Sequence, residues 1–115
     1  MLVYQGEEVM PKYLIQESYT TEGLRGLQKD SASGRRDAIA QLMKSAGGSL
    51  ESVHYACGEH DIIAIVEAPD NTAMSAISIA VTAIGLVKTQ VTPLLTVAEV
   101  DAALKKSVSY RPPGR

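Results

Sequence analysis

The chain has 115 residues, 45% of them hydrophobic and 21% charged, with a formal net charge of −2. That length suits one domain that buries about two-thirds of its unfolded surface. A single cysteine, Cys57, excludes an internally stapled secreted domain, the scattered Lys and Arg form no basic stripe of the kind nucleic acid requires, and no apolar run is long enough to span a bilayer.

Residues 1–10 read as an N-terminal extension. They hold two glutamates and no apolar core, so they are not a signal peptide, and the expected location is the cytoplasm. Residues 11–106 read as one domain and 107–115, rich in Pro, Gly and Arg, as a loose tail.

Tyr13 to Tyr19 predicts a first strand. Thr20 or Thr21 can cap a helix that carries Glu22 in its first turn and Leu24 and Leu27 on its inner face. Ser31-Ala32-Ser33-Gly34 breaks or kinks that helix. A second segment places Ala38, Ile39, Leu42, Met43 and Ala46 at amphipathic spacing and ends at Gly47-Gly48. Leu50 to Cys57, the turn Gly58-Glu59-His60-Asp61, and Ile62 to Ala68 predict a β-hairpin. Asp70 caps a helix from Asn71 to Ile84, with Ala73, Ile77, Val81 and Ile84 inward and Gly85 as its stop. Leu86 to Thr92 is a fourth strand. Thr96 and Glu99 have capping-box spacing and open a terminal helix bearing Val97, Val100 and Leu104.

The order β-α-β-β-α-β predicts an α+β, ferredoxin-like fold with an extra C-terminal helix. Right-handed crossovers put both helices on one sheet face. In the third strand Ile63 and Ile65 point one way, and Ile62, Ala64 and Val66 the other. Both faces are apolar, so both need cover. Roughly 500 Å² of exposed aliphatic sheet is unusual in a monomer, which predicts a homodimer with sheets packed face to face.

Several residues in this order carry a resemblance: Tyr19-Thr20 before Glu22-Gly23-Leu24, Ala46-Gly47-Gly48 closing a helix, Gly58-Glu59-His60-Asp61, and Glu67-Ala68-Pro69-Asp70 after an aliphatic strand. From Met10 to Leu95 the chain resembles the GYD-domain family of small, largely uncharacterised bacterial proteins. The family's glycine, tyrosine and aspartate fall on Gly58, His60 and Asp61, so a histidine stands where the family has its tyrosine. The resemblance implies a dimeric α+β barrel and brings no established reaction. It also makes Met10-Pro11 resemble the usual start.

His54, Cys57 and His60 are spaced by three, but an odd separation along a strand sends His54 and Cys57 to opposite faces. No metal and no cofactor is expected, and Cys57 reads as a small buried hydrophobe. His60, between Glu59 and Asp61, is a candidate acid/base group at a cavity mouth. The plainer alternative is a turn in which Asp61 binds backbone amides and Gly58 serves backbone geometry. His54, His60 and Asp61 are thus the catalytic candidates. His54 shares a face with Ser52. Gln16 and Ser18 alternate with Ile15 and Glu17, and Lys88 and Gln90 with Thr89 and Val91. If these polar sets share a face, Gln16, Ser18, His54, Lys88 and Gln90 line a pocket between the sheet and a partner or beneath a helix. Tyr13, Tyr19 and Tyr55 can supply hydroxyls, and Arg35-Arg36 reads as a solvated helix face.

No nucleophile elbow, phosphate-binding glycine loop or Cys-x-x-Cys occurs. Three readings follow: a homo-oligomer that binds a small ligand, a cofactor-independent monooxygenase or isomerase of the dimeric barrel type, and a purely structural oligomer. None involves nucleic acid or membrane.

Overall fold

The computed structural model describes residues 10–115, so the expected extension lies, apart from Met10, outside the described residues. The elements are β1 (Lys12–Tyr19), α1 (Thr21–Lys29), α2 (Ala32–Ser45), β2 (Ser49–Tyr55), β3 (Ile62–Glu67), α3 (Asn71–Ile84), β4 (Val87–Pro93) and α4 (Val97–Leu104). The strands form one four-stranded antiparallel sheet in the order β2-β3-β1-β4. This order and connectivity are compatible with a ferredoxin-like α+β fold.

Each helix starts where its own side chains can satisfy free amides. Thr20 caps α1 by accepting from Gly23 N at 3.2 Å, and Asp70 caps α3 by accepting from Ala73 N at 2.9 Å. Ser31 accepts from Gly34 N at 2.9 Å, so the Ser31–Gly34 segment ends one helix and caps a new one. Thr96 and Glu99 form the full capping box of α4. Gly47 (φ 82°) follows α2 and Gly85 (φ 84°) ends α3, both in the left-handed region that glycine enters without strain.

The core lies between the sheet and α2 and α3. Tyr13 and Ile15 of β1, Ala64 and Val66 of β3, Met43 of α2, and Met74 and Ile77 of α3 are all buried there. Period two sends Leu14, Gln16, Ile63 and Ile65 to the opposite face. No residue of α4 is buried.

Four expectations change. Gly23, not Leu24, is the buried residue of α1, and Leu24 is 45% exposed. The helix backbone lies so close to the Leu86 carbonyl that a side chain at position 23 would collide with it. Ile84 is 71% exposed, because the last turn of α3 overhangs a cleft instead of packing on the sheet. Cys57 is exposed, because β2 ends at Tyr55 and the chain leaves the sheet before reaching it. Gly58 has no positive φ and a Cβ there would meet open space, so backbone geometry does not demand glycine.

Candidate functional site

The sheet register fixes where the polar residues stand. His54 of β2 lies opposite Ile63, Ile63 opposite Gln16, and Gln16 opposite Gln90, one row across all four strands. Ser18 lies opposite Lys88 in β1 and β4. Gln16, Ser18, His54, Lys88 and Gln90 therefore share the open face, away from α1, α2 and α3. Lys12 stands on that face too, paired with Glu51 and, at 3.8 Å, with Glu67.

The β2–β3 loop closes over one end of this face. Ser18 Oγ donates to the Glu59 carbonyl at 2.9 Å and lies 3.3 Å from His60 Nδ1. Asp61 turns inward: its carboxylate accepts from Tyr19 N at 2.8 Å, and its own amide donates to the Glu17 carbonyl at 2.7 Å. Asp61 thus ties the β2–β3 loop to the end of β1 through one accepted and one donated bond, rather than binding amides of its own turn. His60 and His54 are not brought into contact with each other by any hydrogen bond, and the described residues contain no cluster of three His, Cys, Asp or Glu able to hold a metal ion.

The cleft with the makings of a ligand site is on the other face. It has a volume of about 330 Å³ and is bounded by α1, α2, the end of α3 and the start of β4. Its walls are mostly apolar: Leu27, Leu42, Val81, Ile84, Leu86 and Val87. Gly23 and Gly26 leave room on the α1 side, and Asp30 and Arg35 stand at the α1–α2 junction. The frame is tied at one corner, where Thr20 N donates to the Leu86 carbonyl at 3.0 Å and Thr20 Oγ1 donates to the same oxygen at 3.1 Å. That corner holds the α3–β4 turn against the start of α1.

Tyr19, the last residue of β1, forms part of the cleft wall. Its hydroxyl is buried and has no hydrogen-bond partner among the described residues. Tyr55 and Arg35 stand close enough to the hydroxyl to act on its ionisation, yet neither meets hydrogen-bond geometry with it, and Tyr55 turns its own hydroxyl to the Ala32 carbonyl at 3.3 Å. Burial first, and Tyr55 second, push the Tyr19 phenol up to about 12. It is therefore a neutral donor at any physiological pH. Arg35 is half-buried beside Asp30, with the charged groups 4.0 Å apart. It is not the fully solvated side chain expected from the Arg35-Arg36 pair, whereas Arg36 is exposed.

Deeper under α2 and α3, Glu17 of β1 points to the helix side. Burial raises its carboxyl above the usual range, partly offset by a hydrogen bond from Thr89 Oγ1 (3.3 Å) and by Arg35. A void of about 20 Å³, roughly one water's worth, lies between Glu17, Thr89 and the α2–α3 side chains and shares Leu42 and Val81 with the cleft.

Two hollows are larger, at about 450 Å³ each. In the one between α3 and β4, the Tyr13 hydroxyl is already satisfied by Asn71 at 2.6 Å. The other lies between residues 10–12 and the start of α4 and has no buried side-chain polar atom left unpartnered. Among these hollows of the described residues, the Tyr19 cleft is the one that combines apolar walls, a cation at its edge and a buried hydroxyl without a partner.

Neither Glu17 nor Arg35 was a candidate site residue in the sequence, where Arg35 read only as part of a solvated helix face. Glu17 carried one signal: a carboxylate in the inward register of Ile15. Arg35 carried none, because its approach to Tyr19 depends on how α2 lies across the sheet.

Searches of curated proteins and of solved structures gave no match. The model of the GYD domain family matches residues 13–104. With the match running from the start of β1 to the end of α4, the chain belongs to the GYD domain family.

Proposed function

We propose that this protein is a small homo-oligomeric binding protein whose ligand occupies the cleft beneath α1 and α3. The ligand is a compact, mostly apolar molecule with one hydrogen-bond acceptor or acidic group, which Tyr19 receives as a donor and Arg35 as a cation. The observation that carries this reading is the buried, unpartnered Tyr19 hydroxyl beside an apolar cleft. An unpaired buried hydroxyl costs about 1–3 kcal/mol, and a bound acceptor would offset that cost. The volume of about 330 Å³ falls in the range of small-molecule sites.

The oligomer follows from the open face, where Leu14, Ile63 and Ile65 are only half-buried in one chain. A second copy packed sheet to sheet would cover them, and it would place Gln16, Ser18, His54, Lys88 and Gln90 at the subunit contact. No helix among the described residues is long and apolar enough to cross a membrane, and the protein is proposed to act in the cytoplasm.

The test is a thermal-shift series with small aromatic and medium-chain aliphatic carboxylic acids, joined to native mass spectrometry of the freshly purified protein. At least one acid raises Tm saturably, and Tyr19→Phe weakens it about tenfold, the loss of one good hydrogen bond. Gly26→Leu, which adds bulk at the cleft where a Cβ meets open space, abolishes the effect. No shift with any acid, and no retained compound, would overturn the reading.

A cofactor-independent isomerase or monooxygenase is the second reading, and Glu17 is the observation that favours it. A buried carboxyl whose pKa is raised by burial, beside Thr89, holds a proton more readily than a solvated glutamate and is suited to proton transfer. In that case Glu17→Gln stops turnover and leaves ligand binding intact.

A further inference from the structure

Asp30 and Arg35 are the charged residues that line the Tyr19 cleft, and they stand as a pair, 4.0 Å apart with each side chain 41% exposed. At that distance they balance each other's charge without a hydrogen bond, so the pairing uses none of the Arg35 N–H donors. The same guanidinium also acts on the Glu17 carboxyl beneath the cleft. A single cation therefore already faces both Asp30 and Glu17.

The position of Asp30 is built into the α1–α2 junction. Its carboxylate rests against the bare backbone of Gly34, in the first turn of α2, where a Cβ would collide with Asp30 Oδ1 and stand 3.0 Å from Ser31 Oγ. Gly34 has no positive φ, so its missing side chain serves this contact and not a turn. The first turn of a helix is also its positive end, which favours an anion.

A ligand carboxylate entering the cleft would be a further acidic group around one guanidinium, and the apolar walls would strip part of its hydration. A neutral carbonyl oxygen meets no such opposition. It accepts from the neutral Tyr19 phenol and from Arg35, whose charge Asp30 balances. We propose that the cleft selects a neutral carbonyl compound, an amide or a ketone, over the carboxylic acid of the same skeleton, and that Asp30 sets this preference. The inference rests on the cleft reading above and narrows it: acids enter the same cleft, but more weakly.

Isothermal titration of the full chain at neutral pH tests it with two matched pairs, benzamide against benzoate and hexanamide against hexanoate. The members of each pair differ in charge and hardly in shape. In wild type the amide of at least one pair is expected to bind at least about tenfold more tightly than its acid. Asp30→Asn keeps the size and removes the charge, and is expected to tighten the acid about tenfold while moving the amide less than about threefold. Gly34→Ala keeps the charge but pushes the carboxylate off its seat. It shifts the ratio in the same direction and takes the place of Asp30→Asn if circular dichroism shows that variant unfolded. An acid that binds wild type as tightly as its amide overturns the inference. So does a preference for the amide that the folded variant leaves unchanged. In both cases Gly26→Leu still abolishes binding and the cleft reading stands. Binding of neither member of either pair to wild type, or binding that Gly26→Leu leaves intact, overturns the cleft reading and this inference together.

Discussion

Asp61 holds the end of β1 from both sides: its carboxylate accepts from Tyr19 N at 2.8 Å, and its amide donates to the Glu17 carbonyl at 2.7 Å. These are the backbone groups of the two residues whose side chains face the cleft and the void beneath it. The β2–β3 loop, on the open side of the sheet, thereby sets the position of groups on the closed side. Asp61→Ala leaves Tyr19 N without its charged acceptor and is expected to cost about 1.5–3 kcal/mol, read as a lower urea midpoint at unchanged m-value. Asp61→Asn keeps an acceptor oxygen and is expected to lose less than half of that.

Tyr19→Phe is expected to move stability and binding in opposite directions. Removing a buried hydroxyl that has no partner relieves its desolvation, so stability should rise by about 1 kcal/mol, while any ligand loses its donor. In the wild type, ultraviolet titration should show one tyrosine ionising at about 12, absent from the variant. Because this folded-state pKa lies above the ordinary 10, the neutral phenol is the form that folding favours. Stability should therefore fall as pH rises from 10 towards 12.

Glu17 behaves in the same sense at lower pH. Burial raises its pKa above 4.5, so the folded state holds the proton more tightly than the unfolded one. Its contribution is favourable below pH 4.5 and is lost as pH rises through the raised pKa. Glu17→Gln removes the titration, so Tm should rise relative to wild type at pH 7 and gain nothing at pH 4, a comparison made by calorimetry at the two pH values.

Two glycines of one short helix should respond with opposite sign. A Cβ at Gly23 would collide with the Leu86 carbonyl and stand 3.0 Å from the Tyr19 ring, whereas a Cβ at Gly26 meets nothing within 4 Å. Gly26→Ala should stabilise by about 0.5–1 kcal/mol through helix propensity. Gly23→Ala gains the same propensity but must push the α3–β4 turn away, for a net loss of about 1–2 kcal/mol. Thermal melts of both variants decide it, and Gly23→Ala should also change affinity at the cleft.

What the chain determined by itself is what short-range chemistry controls. Thr20, Ser31, Asp70 and Thr96 cap helices because a side-chain oxygen meets an amide three residues on. Gly85 stops α3 because a left-handed residue ends a helix. Alternation grouped Gln16 with Ser18 in β1 and Lys88 with Gln90 in β4, since a strand's period of two survives any packing, and the register of the paired strands then put both sets on one face. Only the tertiary structure decided that Gly23 and not Leu24 meets the body, that Cys57 stands outside the sheet, and that Ile84 overhangs a cleft. It alone brought Arg35 to Tyr19 and Thr89 to Glu17, residues 16 and 72 positions apart. Such encounters depend on how each helix is rotated and seated on the sheet, a choice made by the summed packing of many side chains, which no local spacing encodes.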